Sequence, residues 1–187
     1  MHTQQNSDSK LKLIIVMGVS GCGKSSVGSK IAQDLGYRFI EADDYHSPAA
    51  KKHMAAGKPL TDVMREPWLQ RLMDTISALP QKNTVMAYSG LRRKHRQRFR
   101  ELGFDTLYVH LYGEQEVILR RMQQRKEHFM PTSLLASQYK ALELPDAEPD
   151  VVTLDIGIDL QHIVERVHAV VKLLQPSPVN KVEAELQ

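Results

Sequence analysis

Residues 11–25 of the chain read LKLIIVMGVSGCGKS, an apolar run followed by a glycine-rich segment. The segment 18–25 matches the pattern G-x-x-x-x-G-K-[ST], which is the Walker A pattern of a phosphate-binding loop. The apolar run before it predicts a strand that is covered on both faces. The residues after it carry apolar side chains at four-residue spacing, which predicts a helix. The segment therefore has the strand–loop–helix setting that such a loop requires.

The residue types in this loop suit the binding of a nucleotide. Glycines let the backbone N–H groups turn towards phosphate oxygens, and the following helix adds its positive end. Lys24 reaches the β- and γ-phosphates, and the Ser25 hydroxyl ligates Mg²⁺, so ATP and Mg²⁺ are the expected cofactors. We assign Cys22 no catalytic role. The residues predicted to bind the nucleotide here are Gly18, Val19, Ser20, Gly21, Cys22, Gly23, Lys24, Ser25 and Ser26.

Short apolar runs alternate with amphipathic stretches along the rest of the chain. The further predicted strands are 37–40, 84–88, 106–112 and 151–155. A wide apolar stripe over 68–79 follows Pro67, which suits the first turn of a helix, and Trp68 suits either packing or stacking on a ligand. The alternation predicts an α/β fold with three layers and a parallel five-stranded sheet. Such sheets bind ligands beyond the carboxyl ends of their strands.

The length of 187 residues indicates one domain, expected over 11–174 with a disordered lead-in over 1–10 and a tail over 175–187. The net charge of +3 suits an anionic ligand without indicating nucleic acid. The chain has a single cysteine, no apolar export signal and no run long enough to cross a membrane. We therefore expect a soluble cytoplasmic protein.

An acidic turn follows the second predicted strand. The carboxyl ends of the first two parallel strands are expected to lie near one another, so Glu41 or Asp43 is expected to face the γ-phosphate. Alternate residues of a strand share a face, so these two carboxylates can point the same way. Phosphoryl transfer needs one carboxylate to orient and deprotonate the attacking hydroxyl, and another often holds Mg²⁺ through water. The alternative is that Asp43 or Asp44 caps the next helix. His46 is either a surface residue or faces the substrate.

Cations gather in two places. The first is one predicted helix with Arg92, Arg93, Lys94, Arg96, Arg98 and Arg100. Three roles are possible for this helix. One or two of its cations bind an anionic substrate, or its charged face is simply exposed to solvent, or it binds nucleic acid. The second place is a helix end and a polar loop with Arg120, Arg121, Arg125 and Lys126. A lid is predicted here at about 121–133, where arginines close on the phosphates and exclude water, unless this is an ordinary charged helix. The third strand ends without the Asp of many P-loop ATPases, which favours a small-molecule kinase.

Several stretches together resemble the gluconate kinase family. They are 18–25, EADDYH at 41–46, GKPLTD at 57–62, REPWL at 65–69, SGLRR at 89–93 and RKEHF at 125–129. The similarity extends from about residue 13 to about residue 171. The G-x-P-L-x-D and R-x-P-W-L blocks are much more specific than the phosphate loop, and they identify the chain as similar to this family.

The resemblance implies transfer of phosphate from ATP to the 6-hydroxyl of D-gluconate, giving 6-phosphogluconate and ADP. It also implies a nucleoside-monophosphate-kinase-like fold, a mobile lid and a homodimer. The implied catalytic residues are Lys24, Asp43 and Arg125, and Glu41 joins Ser25 at the metal. Arg121 and Arg125 are the implied lid arginines. The residues implied to hold the substrate are Asp43, His46, Arg65, Arg92, Arg96 and His128.

The chain departs from the family pattern at a few positions. Glu41 replaces a common Asp, and Met64 replaces a carboxylate of the D-x-D-R block. Ala50, His53 and Tyr88 replace an Asn, a Lys and a Cys. These departures leave two alternatives to a gluconate kinase, namely a kinase of the same fold acting on shikimate or a nucleoside monophosphate, and a nucleotide-binding module without catalysis.

Overall fold

A parallel sheet forms the centre of the molecule in a computed structural model that describes residues 10–78, 82–124 and 131–174. Its five strands have the order β2-β3-β1-β4-β5, and every neighbouring pair is parallel. The strands are β1 (Lys12–Met17), β2 (Arg38–Glu41), β3 (Thr84–Ala87), β4 (Asp105–Tyr112) and β5 (Val151–Asp155). The α/β fold with a five-stranded parallel sheet is therefore confirmed, with strand ends within one residue of those predicted.

Helices connect the strands and cover the sheet. They are α1 (Lys24–Leu35), α2 (Pro48–Ala55), α3 (Asp62–Ala78), α4 (Arg93–Arg100), α5 (Gln115–Gln124), α6 (Ser133–Ala141) and α7 (Leu160–Leu173). Gly36 ends α1 in the left-handed conformation, as its position after the apolar pattern indicates. The placement of Pro67 in a first helical turn is wrong, because α3 begins five residues earlier and contains Pro67 in its interior.

The alternation of side chains along β1 divides the apolar core in two. Ile14 and Val16 point to one face, where they pack with residues of α1 and α7. Leu13, Ile15 and Met17 point to the other face, where they pack with the apolar stripe of α3 and with Phe99 of α4. Both faces of the sheet are covered, which explains why β1 reads as a continuous apolar run and gives the predicted three layers.

The strand order corrects one expectation from the sequence. We expect the carboxyl ends of the first two strands to lie near one another, but β3 pairs with both and separates them. All five strands still end at one edge of the sheet, because they are parallel. This edge carries the phosphate loop after β1 and the acidic turn after β2.

Arg96 of α4 is the largest fully buried side chain in the described part of the molecule. Its guanidinium donates to the Glu148 carboxylate and to the backbone carbonyl oxygens of Gly90 and Glu143. Glu148 also accepts from Arg100, and its own side chain is 8% exposed. This buried cluster ties α4 to the loop before β5.

Some sequence predictions lie outside the described residues. They concern the lead-in over 1–9, Leu79 of the α3 stripe, the lid segment 125–130 with Arg125 and His128, and the tail over 175–187. Within the ranges that are described, no helix combines the length and the apolarity needed to cross a membrane.

Replacing the Glu148 carboxylate should destabilise the fold, because it leaves the Arg96 charge buried without its partner. We expect Glu148→Gln to lower the free energy of unfolding by about 3 kcal/mol in urea denaturation. The control is Glu101→Gln, since Glu101 is exposed and bonds only weakly to Gln97, and it should change stability by less than about 0.5 kcal/mol. Equal stability of the two variants would contradict a structural role for the cluster.

The same cluster predicts a dependence of stability on pH. Burial alone would raise the pKa of Glu148 from 4.5, but hydrogen bonds from Arg96 and Arg100 outweigh it and lower the pKa to about 2. The stabilisation is complete above the unfolded pKa and is lost as pH falls from 4.5 towards 2. Denaturation at several pH values should show this loss in the parent protein and a smaller one in Glu148→Gln.

Candidate active site

The phosphate loop turns sharply between β1 and α1. Gly18, Gly21 and Gly23 adopt φ angles of 142°, 83° and 102°, which L side chains rarely adopt. A Cβ atom on Gly21 would lie 2.5 Å from Cγ of Met122 in α5, so the loop is also closely packed from behind. The Gly18 N–H donates to the carbonyl oxygen of Ser89 after β3, which fixes the loop to the neighbouring strand.

Two side chains reach across this loop. Lys24 folds back so that its Nζ donates to the carbonyl oxygen of Val19 at 3.0 Å. From α6, Gln138 places its Oε1 2.6 Å from the backbone nitrogen of Ser20, which donates to it. The loop is thereby joined to a helix that lies 118 residues away in the sequence.

The Ser25 side chain lies close enough to the Glu41 carboxylate to act on its pKa, although β3 separates β1 from β2. Burial raises the pKa of Glu41 above its ordinary value; the Ser25 side chain opposes this rise, and the nearby Asp43 carboxylate adds to it. These two oxygen-bearing side chains are hard donors of the kind that Mg²⁺ prefers, and phosphate oxygens and water usually complete its octahedron. In the described ranges, no three His, Cys, Asp or Glu side chains group closely enough to hold a metal without other ligands.

The acidic turn is a short 3₁₀ segment over Ala42–Tyr45, followed by α2. Neither aspartate caps that helix, because the Ser47 side chain accepts the hydrogen bond from the Ala50 N–H. Asp43 lines a cavity and Asp44 is exposed. The capping alternative for both aspartates is therefore wrong, and Asp43 is left facing the space where a ligand fits.

His46 is held by stacking on Trp68. The two ring centroids lie 4.0 Å apart with an interplanar angle of 18°, and the Trp68 Nε1 donates to the carbonyl oxygen of Ala42 at 2.7 Å. The His46 Nε2 lies 3.8 Å from Oδ1 of Asp43. Burial lowers the pKa of His46 to about 4, so its imidazole is neutral at physiological pH. Trp68 is thus a packed residue that also forms part of the cavity wall.

A cavity of about 420 Å³, called the central cavity below, opens between the phosphate loop and helices α3, α4 and α6. Its volume is in the usual range for small-molecule sites. It brings together residues from six parts of the chain. The lining residues used below are Ser20, Lys24, Asp43, His46, Arg65, Trp68, Tyr88, Arg92, His95 and Gln138.

One carboxylate organises the cations at one end of the central cavity. Asp62, at the start of α3, accepts from Arg92 at 2.9 Å and from Lys94 at 2.6 Å, and lies 3.4 Å from the Arg65 guanidinium. Both arginines line the central cavity and are partly exposed. A single negative charge among three cations leaves this end positive, which suits a carboxylate ligand.

The structure does not bring Arg96 to the central cavity, so the expectation that it holds substrate needs correcting. Its side chain is 0% exposed, and its guanidinium is engaged by Glu148 and two carbonyl groups. The other cations of this segment each pair with a carboxylate, Arg93 with Glu148 and Arg98 with Glu66 among them. α4 begins at Arg93, and Arg92 precedes it.

Of the two predicted lid arginines, the structure describes only Arg121. Arg121 lies near the end of α5, is exposed, and donates to the carbonyl oxygen of Ile156 after β5 at 2.9 Å. Arg125 and His128 lie outside the described residues, so their assigned roles stay predictions.

Sequence reasoning missed His95 and Gln138, which both line the central cavity. His95 is hidden in a run of cations, and no local signal separates its buried position from its exposed neighbours. Gln138 belongs to a helix after the predicted lid and meets the phosphate loop only through the tertiary fold.

The departures from the family pattern mostly lie off the central cavity. Met64 is 37% exposed, and Ala50 packs in a small apolar cluster with Met54 and Leu134. Tyr88 is the departure that lines the cavity wall, where it packs between Trp68 and Phe99.

Gly21→Ala should weaken nucleotide binding by about tenfold or more, because a side chain at φ 83° strains the loop and crowds Met122. Titration with a fluorescent ATP analogue measures this. The control is Gly36→Ala, which has φ 66° but no atom within 4 Å of the added Cβ. It should cost stability and leave nucleotide affinity unchanged. Equal nucleotide affinity of Gly21→Ala and the parent protein would contradict the role of the loop.

A family model and individual relatives both match most of this chain. Residues 13–145 match the family described as AAA domain. The thermosensitive gluconokinase of Escherichia coli strain K12 is 43% identical over 155 residues, covering 81% of this chain and 83% of its own length. A probable gluconokinase of Xenopus tropicalis is 40% identical over 173 residues, covering 83% and 90%.

A solved structure agrees with these relatives. The crystal structure of a gluconokinase from Sinorhizobium meliloti 1021 is 41% identical to this chain, with a TM-score of 0.78. The match covers 87% of this chain and 93% of that one. With the phosphate loop, the acidic turn and the central cavity at one edge of the sheet, this chain has the P-loop kinase fold and belongs to the gluconokinase family.

Proposed function

We propose that this protein is a gluconokinase, which transfers the γ-phosphate of ATP to the 6-hydroxyl of D-gluconate and releases 6-phospho-D-gluconate and ADP. One observation carries the proposal. The central cavity has the phosphate-loop Lys24 and the Asp43 carboxylate in its wall together with the cations Arg65 and Arg92. A linear polyhydroxy acid has a hydroxyl at one end and a carboxylate at the other, which matches these two sets of groups.

Asp43 is the proposed general base. Its side chain is not taken up as a helix cap, and it lines the central cavity together with Lys24. A carboxylate in this position orients the acceptor hydroxyl and accepts its proton as the oxygen attacks the γ-phosphate. The stack of His46 on Trp68 keeps the turn that carries Asp43 in place.

The nucleotide contacts are proposed on the phosphate loop. Lys24 would neutralise charge on the β- and γ-phosphates, and Ser25 and Glu41 are the residues that would hold Mg²⁺. An ion held by these two residues would supply charge stabilisation for the transferred group. Arg121 and Arg125 belong to the proposed lid, which would exclude water from the γ-phosphate.

Arg65 and Arg92 are proposed to bind the gluconate carboxylate. Asp62 holds both guanidinium groups at the cavity without neutralising them fully. Arginine suits this task, because its planar fork matches a carboxylate. His128 stays in the proposed substrate site on the strength of the resemblance alone. The homodimer and the cytoplasmic location also stay predictions.

Asp43→Asn should lower kcat by about 10²- to 10⁴-fold, because an amide cannot accept the proton of the acceptor hydroxyl. The KM for ATP should stay within twofold. Steady-state kinetics with coupled detection of ADP measure both. The control is Asp44→Asn at the neighbouring exposed position, which should keep the parent rate. A near-normal rate for Asp43→Asn would remove Asp43 as the base.

A panel of acceptors tests the function as a whole. Purified protein with Mg-ATP is offered gluconate, other sugar acids, shikimate and nucleoside monophosphates, and ADP is followed. We expect gluconate to give the highest kcat/KM. Turnover with another acceptor alone would replace gluconate in the proposal, and no turnover with any acceptor would favour a binding module without catalysis.

A further inference from the structure

Two residues in the wall of the central cavity have a buried side-chain nitrogen without a hydrogen-bond partner. Across the described ranges, three buried side-chain polar atoms have no hydrogen-bond partner: His46 Nδ1, His95 Nε2 and His168 Nε2. The first two belong to residues that line the central cavity. Most buried polar atoms have a partner, and leaving one without a partner is costly. Two such atoms in one cavity wall indicate that a ligand supplies the missing hydrogen bonds.

His95 has a fixed position on this wall. It lies in the first turn of α4, its N–H donates to the carbonyl oxygen of Arg92 at 3.1 Å, and it is 4% exposed. The charged groups acting on it are Asp62, Lys94, Arg65 and Arg92. It therefore stands at the cationic end of the central cavity, beside the proposed carboxylate site.

The state of the His95 ring suits recognition of a hydroxyl. Burial lowers the pKa of His95, and the cations Lys94, Arg65 and Arg92 act in the same direction against Asp62. The ring is therefore neutral at physiological pH, and its Nε2 donates or accepts according to the tautomer. A hydroxyl group, which does both, is a partner for either tautomer.

We propose that His95 is a specificity-determining residue whose Nε2 hydrogen-bonds a hydroxyl of the acceptor next to its carboxylate. This inference rests on the proposed function and adds to it. Arg65 and Arg92 bind the carboxylate of the acceptor. His95 distinguishes acceptors that carry a hydroxyl next to this carboxylate from acceptors that lack it. A site built to bond a hydroxyl rejects an analogue that lacks it, because the buried nitrogen is then left without a partner.

The test combines two His95 variants with substrate analogues. His95→Leu removes the nitrogen at similar volume, and His95→Gln keeps a polar group near the position of Nε2. Each variant and the parent protein are assayed with gluconate and with gluconates that each lack one hydroxyl. We expect His95→Leu to raise the KM for gluconate about tenfold, with the KM for ATP within twofold. For one deoxy acid, the ratio of kcat/KM for gluconate to kcat/KM for that acid should be about tenfold larger in the parent protein than in His95→Leu. His95→Gln should restore part of this difference.

A matched control is His168→Leu. Its Nε2 also lacks a hydrogen bond, but it lies in α7 and does not line the central cavity. This variant should keep the parent KM and the parent discrimination. If His95→Leu also kept both, the nitrogen would make no contact with the acceptor and the inference would be overturned. No turnover of gluconate by the parent protein would instead overturn the proposed function.

A second measurement avoids substitution, in case His95→Leu does not fold. The ¹⁵N resonances of the imidazole nitrogens are recorded in the parent protein with and without gluconate. We expect the His95 Nε2 resonance to shift on binding and that of His168 to stay. Saturating gluconate that leaves the His95 resonance unmoved would overturn the inference.

Discussion

The turn from β1 into α1 is the constraint on which the rest of the site depends. Three glycines with positive φ angles let the chain reverse within a few residues, and α5 packs against the back of the loop. Because β1 is the middle strand of the sheet, this turn lies between the acidic turn after β2 and the segment after β5. Every other group of the site is placed relative to it, and Ser25, just after the loop, lies near Glu41 at the end of β2.

The sequence predicts the fold well where local pattern decides the structure. Strands buried on both faces appear as apolar runs, and the glycine pattern marks the loop without any tertiary information. The strand order is not predictable in this way, because no local signal shows that β3 lies between β1 and β2. Pro67 shows a similar limit, because its preference for a first turn yields to the packing of α3.

The site divides in the same way. The position of Lys24, Ser25 and Glu41 at the ligand edge of the sheet is predictable, because they lie within or just after a recognisable motif. Arg96 is not, because a run of cations does not show which of them faces inwards, and its partner Glu148 lies 52 residues away. His95 lies in the same run and faces the cavity instead. Charge along a helix indicates the kind of partner, whereas the identity of that partner depends on the packing of the whole fold.

The hydrogen bond from the Ser20 N–H to Gln138 has a consequence for how two ligands influence each other. The same glutamine belongs to the wall of the central cavity, and the same amide belongs to the phosphate loop. Any change in this bond on arrival of one ligand alters the environment of the other. By thermodynamic reciprocity, the factor by which nucleotide changes the affinity for acceptor through this contact equals the factor by which acceptor changes the affinity for nucleotide. This contact, with its two atoms 2.6 Å apart, is thus one route by which the two ligands influence each other.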